Sequence, residues 1–314
     1  MTTPLSPEFT LRPPTSDDLE AVVALVYACD LADFAEATPN SPQEVQEWWK
    51  RTAALWLIQH ADGRVVGFAT LTDSHEHSAF DSDTFVHPDY VGQGFAEVLL
   101  GAIETRAREL AQEAAPGVAI KLTQGMGASN QHLRARIEEA GFAQTRTFWR
   151  MRIDMTEPPL APIWPEGITL RTYQLGPDDR PVWAAVEEAF LDHWNWHETP
   201  FEEWMERPQK PTFDPTLWFL AMDGDQIAGV TLATSEMKHI WINKVAVRRP
   251  WRKRGLARAL LRHMFGAIYA RGVTRAELGV DAQSLTGAQH LYEAEGMRPV
   301  AAWAFYEKML VPEA

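Results

Sequence analysis

Two spacings of apolar residues alternate along the chain. Trp149, Met151, Ile153 and Met155 take every second position, with Arg150, Arg152 and Asp154 between them, the pattern of a half-buried strand. Leu256, Leu260, Met264 and Ile268 recur at helical spacing, with Arg258 and Arg262 on another face, and predict a helix over 255–271. That helix sits inside a longer order of elements. Residues 168–172 read as a short strand, 178–190 as a helix opened by an Asp178 cap, and 218–222 with 227–233 as a hairpin around Asp223-Gly224. The apolar, β-branched run 240–247 reads as a buried strand. A strand over 276–280 follows, then a helix over 286–295 stopped by Gly296. The fold class is mixed α/β.

The same order occurs twice. Phe9-Thr-Leu-Arg12 returns as Ile168-Thr-Leu-Arg171, and Trp56-Leu-Ile58 as Trp218-Phe-Leu220. Asp62-Gly63 before Val65-Val-Gly67 returns as Asp223-Gly224 before Ile227-Ala-Gly229. Val86, Val91, Gly94 and Ala96 return as Val247, Arg252, Gly255 and Ala257, and Gly141-Phe142 as Gly296-Met297. The offsets drift only between 155 and 162 residues, so the chain reads as a tandem duplication. Between the copies, 156–165 carries four prolines in ten residues, an extended connector. The expected division is a first domain over 1–157, a linker over 158–166 and a second domain over 167–314.

Composition agrees with two globular domains: 314 residues, 46% hydrophobic and 23% charged. No apolar run approaches the roughly 20 residues of a membrane helix, and residues 1–18 lack a basic start followed by an apolar stretch. The single cysteine, Cys29, excludes an internal disulfide framework and a Cys-based zinc site within one chain. A cytoplasmic protein is expected. The net charge of −14 disfavours nucleic acid as a partner. Yet no acid occurs from Arg248 to Ala276, while nine Arg or Lys do, a positive island suited to a small anion.

The chemistry concentrates where the buried strand turns into the helix, Val245-Ala-Val-Arg-Arg-Pro-Trp-Arg-Lys-Arg-Gly-Leu-Ala257. A helix start leaves backbone N–H groups unpaired at the positive end of its dipole, and glycine lets the chain approach a phosphate closely. A basic surface helix that happens to begin with glycine is the bland reading of a lone glycine. Arg-x-x-Gly-x-Ala behind a buried strand, in a duplicated unit, argues against it. A Walker P-loop is excluded, since Gly-x4-Gly-Lys-Ser/Thr is absent.

Arg252-Lys-Arg-Gly255-Leu-Ala257 resembles the pyrophosphate-binding motif of the GNAT superfamily of N-acetyltransferases. Leu291-Tyr292-Glu293 before Gly296-Met297 is similar to that family's later helix, and the duplicated layout is similar to the mycothiol synthase-like tandem group. The resemblance implies an α+β fold of two tandem GNAT-like domains, each a mixed, mostly antiparallel sheet flanked by helices. It implies that the backbone amides of Arg252, Lys253, Arg254, Gly255, Leu256, Ala257 and Arg258 hold the pyrophosphate of coenzyme A. Val245 and Val247, with Ala246 between them, would run along the pantetheine arm through their main chain.

A departing thiolate, from a thiol of pKa near 8.5, needs a proton, and Tyr292 is the candidate general acid. Its bland reading is a packed helix tyrosine. The strand His239-Ile-Trp-Ile-Asn-Lys-Val245 carries no acid, so Glu236 or His239 is left as the candidate base, against a plain solvated pair. Ser284 and Thr286 stand where the family often has asparagine. Ser284 would bond the coenzyme or merely cap the helix. Trp194 and Trp196 would face the acceptor or pack the core. His193 and His197, spaced i, i+4, lack a third ligand, so no metal site is expected.

The first half keeps Gly94, Ala96 and Asn130 but has Val91 for Arg252 and Ile137 for Tyr292, and reads as degenerate, though able to keep a pocket. The expected function is an acyl-CoA-dependent N-acyltransferase that moves acetyl from acetyl-CoA to a primary amine of a small molecule or peptide. Direct attack in a ternary complex is expected, with no membrane or metal partner. A non-catalytic acyl-CoA-binding or sensing protein on the same fold is the alternative.

Overall fold

A computed structural model describes residues 5–34, 36–37, 39–74, 76–193, 196, 198–236, 239–284 and 286–311. Trp194 and His197 lie outside the described residues. The structure divides into two compact units, residues 1–148 with 300–314, and residues 149–299. The chain crosses between them at 148/149 and at 299/300. Residues 158–166 lie within the second unit, and the last strand from Val300 onward lies in the first.

In chain order the first unit runs β1 (Phe9–Arg12), α1 (Leu19–Asp33), α2 (Pro42–Trp49), β2 (Ala54–His60), β3 (Val65–Ser74) and β4 (Ala79–Val86). It continues with α3 (Phe95–Leu110), β5 (Ile120–Gly127), α4 (Gln131–Glu139) and the start of β6 (Ala143–Asp154). The second unit repeats this as β7 (Ile168–Thr172), α5 (Asp179–Phe190), α6 (Phe201–Trp204), β8 (Phe213–Asp223), β9 (Gln226–Ser235) and β10 (Ile240–Val247). It ends with α7 (Leu256–Tyr269), β11 (Arg275–Asp281) and α8 (Ala288–Ala294), before β12 (Arg298–Val311).

Each unit is one mixed sheet. In the first, β1 to β4 pair antiparallel in sequence, β5 joins β4 parallel, and β12 joins β5 antiparallel. In the second, β7 to β10 pair antiparallel, β11 joins β10 parallel, and residues 149–154 of β6 lie beside β11. Parallel neighbours need a crossover, and α3 and α7 supply it. Both helices bury an apolar stripe; Leu99 and Ile103 in α3 and Leu260, Met264 and Ile268 in α7 are wholly buried.

The duplicated Arg at the end of each first strand has the same task twice. Arg12 donates to both carboxylate oxygens of Asp18 at 2.7 and 2.6 Å, and Arg171 to both of Asp178 at 2.6 and 2.7 Å. Each pair locks a first strand to the start of a first helix. Asp178 is therefore no side-chain cap for α5; it also accepts from the Gln174 N–H at 2.7 Å. The expected helix over 286–295 is shorter, because Gly287 takes φ +67° as the residue before Ala288. Cys29 is buried in α1, donates Sγ–H to the Val86 carbonyl at 3.3 Å, and burial pushes its thiol up to about 12.

Arg171 holds the Asp178 carboxyl below the usual carboxylate range, so that bond stabilises the fold above pH 4 and is lost as pH falls through the lowered value. Arg171→Met should cost about 1–2 kcal/mol at pH 7, read from urea denaturation. The deficit against the unsubstituted protein should shrink at pH 3; a constant deficit would contradict the role of the pair.

Candidate active site

The parallel strands of the second unit stay together only briefly. β10 and β11 pair at Ile240↔Ala276 and Trp241↔Glu277, after which β10 runs on to Val247 held by β9 alone. The register with β9 skips between Ile242 and Lys244, a bulge at Asn243. In the first unit the corresponding pairing of β3 with β4 runs from Gly67↔Val86 to Ser74↔Ala79 without a skip. The Arg248 N–H donates to the Ala228 carbonyl on β9 at 3.0 Å, so by strand alternation the main-chain groups of Val245 and Val247 face away from β9. They front the gap.

The gap leads to the start of α7. Gly255 precedes that helix at φ +84°, and Lys253 takes φ +61°, a conformation a non-glycine residue adopts rarely. The first backbone donor committed to the helix is Ala259, to the Gly255 carbonyl at 3.0 Å. Among the described residues the N–H groups of 253–258 find no backbone acceptor, so they form a concave set of donors at the dipole's positive end. A cavity of about 520 Å³ joins these features and is lined by Val245, Val247, Gly255, Ala257, Thr286 and Tyr292. Among the described residues the Tyr292 hydroxyl makes no hydrogen bond, and burial pushes the phenol up to about 12.

The positive island is less free than its sequence implies. Arg252 donates to the Val247 carbonyl at 3.1 Å, to Asp192 at 2.7 Å and to the Ala189 carbonyl at 2.9 Å, tying the loop to the end of α5. Arg248 pairs with Glu188 at 2.7 Å, and Arg249 with Asp192. Arg258 and Arg262 share the buried Glu295 at 2.8 and 2.6 Å. Lys253 has no such partner among the described residues, and Arg254 reaches only the Glu166 carbonyl at 3.4 Å. The charge left for an anion comes from these two.

A second cavity, about 390 Å³, opens on the other side of the bulge. Asn243 and Lys244 line it with Trp204, Arg207, Trp241 and Glu236. The Lys244 ammonium lies 4.3 Å from the Phe190 ring and 4.8 Å from that of Trp196, and Phe190 also borders the first cavity. Burial pulls Lys244 down to about 8. Glu236 is thus on this cavity. His239 is on neither; its imidazole faces the buried Glu277 at 3.9 Å, which Arg152 holds at 2.7 Å, and burial lowers its pKa. Ser284 borders neither cavity and bonds Thr286 at 2.9 Å, whereas Thr286 borders the first. Trp196 lies tilted against Phe190, ring centroids 4.9 Å apart, and donates to Glu187 at 3.1 Å. Among the described residues no group of three or more His, Cys, Asp or Glu could hold a metal.

The first unit keeps the backbone of the cradle without its cations. Gly92 and Gly94 take φ +84° and +87°, and Val98 is the first committed donor, to the Gly94 carbonyl at 3.1 Å. A cavity of about 410 Å³ meets Gly92, Gly94 and Asn130. Asn130 caps α4 by accepting from the Leu133 N–H at 3.0 Å. Sequence reasoning missed Arg207 and Lys244. Lys244 had a signal in its place on the buried strand; Arg207 had none.

A family profile described as "Acetyltransferase (GNAT) family" matches residues 23–142 and 183–297, one segment per half. A mycothiol acetyltransferase from Thermobispora bispora is 30% identical over 90% of this chain and 93% of its own. The crystal structure of a GCN5-related N-acetyltransferase from Sphaerobacter thermophilus superposes with a TM-score of 0.86 at 33% identity, covering 99% of this chain and 98% of its own. A tandem GNAT protein from the clavulanic acid biosynthesis pathway shares the fold at a TM-score of 0.73 and 18% identity, over 98% of this chain and 100% of its own.

If Arg252 is a tether and not a free charge, Arg252→Lys cannot reach its three acceptors at once. The variant should lose about 1 kcal/mol of stability and exchange the hydrogen-bonded amides of Arg248, Trp251 and Arg252 faster. Exchange unchanged from the parent protein would contradict the tether.

Proposed function

The chain belongs to the Acetyltransferase (GNAT) family and is an N-acetyltransferase; from that premise we propose that the second unit moves an acetyl group from acetyl-CoA to a primary amine. The observation that carries this reading is the single cavity joining the open edge of β10, the free N–H groups of 253–258 and Tyr292. A diphosphate fits the donors at the start of α7, with Lys253 and Arg254 beside it. An extended pantetheine arm fits the exposed edge at Val245 and Val247, where it would complete the hydrogen bonds that β11 leaves unmade.

Chemistry follows from that placement. The amine nitrogen attacks the thioester carbon, the C–S bond breaks, and the proton lost by nitrogen ends on sulfur. The Val245 N–H at the open edge is placed to stabilise the oxyanion. Glu236 borders the acceptor cavity and His239 does not, which favours Glu236 as the group that takes the amine's proton, directly or through water. A phenol near 12 does not ionise fully toward a thiolate whose acid has a pKa near 8.5. Tyr292 therefore acts as a hydrogen-bond donor to the departing sulfur. Ala246, between these two positions, is buried against the core and also borders the cavity.

Tyr292→Phe keeps the shape and removes the donor. It should lower kcat about 10²-fold with the acetyl-CoA KM unchanged. Because the phenol keeps its proton until about pH 12, any alkaline limb below pH 11 should be the same in both proteins. A loss under twofold would remove Tyr292 from the mechanism. Tight acetyl-CoA binding without turnover on any amine would favour a sensing protein.

A further inference from the structure

Three cations line the second cavity, Arg207, Lys210 and Lys244, and none forms an ion pair among the described residues. The Arg207 guanidinium lies 4.1 Å from the Trp204 ring, and its Nη1 is buried with no hydrogen-bond acceptor. The Lys244 ammonium lies over the Phe190 and Trp196 rings and has no hydrogen-bond partner among the described residues, and the Arg207 and Lys244 charges are close enough to repel each other. Glu187 acts on both and Glu203 on Arg207, but neither carboxylate forms an ion pair with them among the described residues. One Glu187 oxygen accepts from Trp196 and the other meets no donor. A buried N–H without an acceptor is costly, and a second cation beside it adds to that cost. Such an arrangement is complementary to an anion that arrives from outside.

The rest of the cavity narrows the class. Trp204, Trp218 and Trp241 give it aromatic walls, and Glu236 is the one carboxylate among its described lining residues, a complement for an ammonium. The diphosphate donors lie in the other cavity, so the anion met here is not the diphosphate of the acyl donor. We propose that the acceptor is a small amine that also bears a carboxylate, with Arg207 and Lys244 holding the carboxylate and the tryptophans covering an apolar body. The proposal deepens the acetyl-transfer reading and rests on it for the fate of the amine, while carboxylate binding stands on the cavity alone. Arg207, Lys210 and Lys244 against Glu187 and Glu236 leave one positive charge, which a monovalent carboxylate balances and a dianionic phosphate exceeds.

The test uses the full chain, acetyl-CoA and matched acceptors: aromatic amino acids, their amides, the decarboxylated amines and a phosphomonoester amine. The free acids should show kcat/KM about 10- to 100-fold above the amides. Arg207→Gln should erase that preference, Arg207→Lys should keep part of it, and the acetyl-CoA KM should hold in both variants, showing that they fold. Saturable quenching of tryptophan fluorescence by the acids, about tenfold weaker in Arg207→Gln, reads binding without turnover. Binding by the acids with no transfer to any amine would sink the acetyl-transfer reading and leave the carboxylate site standing. Equal kcat/KM and equal quenching for acids and amides, or a preference for the phosphomonoester, would overturn the proposal.

Discussion

A β-strand that loses its neighbour on one edge must satisfy that edge with something else. β10 is in this position beyond Trp241, where β11 turns away and only β9 stays. An exposed edge inside a cleft is a template for an extended ligand, whose main-chain-like amides can stand in for the missing strand. The start of α7 adds the second half of the constraint, a set of amide donors that the helix cannot use itself. Both come from backbone geometry. They are also why Gly255, at a φ that other residues resist, sits at the junction.

Side chains then position this backbone more than they touch a ligand. Arg252 reaches three acceptors on two elements, Trp251 donates to Asp223 at 2.8 Å, and Arg258 with Arg262 closes on Glu295. A row of arginines that looked like free charge is mostly a set of braces. That division of labour accounts for the first unit, where Val91 replaces Arg252 and yet the loop takes nearly the same backbone angles. Glycines at 92 and 94 keep the shape that Lys253 and Gly255 hold in the second unit, but the loop itself carries no cation, and Arg136, which borders the cavity, is paired with Glu97 and Glu139.

Much of this was legible in the sequence because it depends on local patterns. The period-two and helical spacings located the strands and helices of the second half, with β10 matched to the residue. The repeat of Arg12 and Arg171 was visible as letters, but not as two identical ion pairs. What stayed hidden depends on long-range placement: a final strand that completes the first unit's sheet, the tethering of Arg252, and the convergence of Arg207 with Lys244. Ser284 shows the limit well. It stays off the cavity, whereas Thr286 and Gly287, just before α8, line it.

The account depends most on donors along 253–258 and on the open edge at Val245 and Val247 meeting the acyl donor. Backbone amide shifts followed by TROSY NMR while acetyl-CoA is added would read both at once. Large, saturable shifts should cluster at 245, 247 and 253–258, with smaller ones near Tyr292. Binding that leaves those amides unmoved while shifting others would contradict the account at its base.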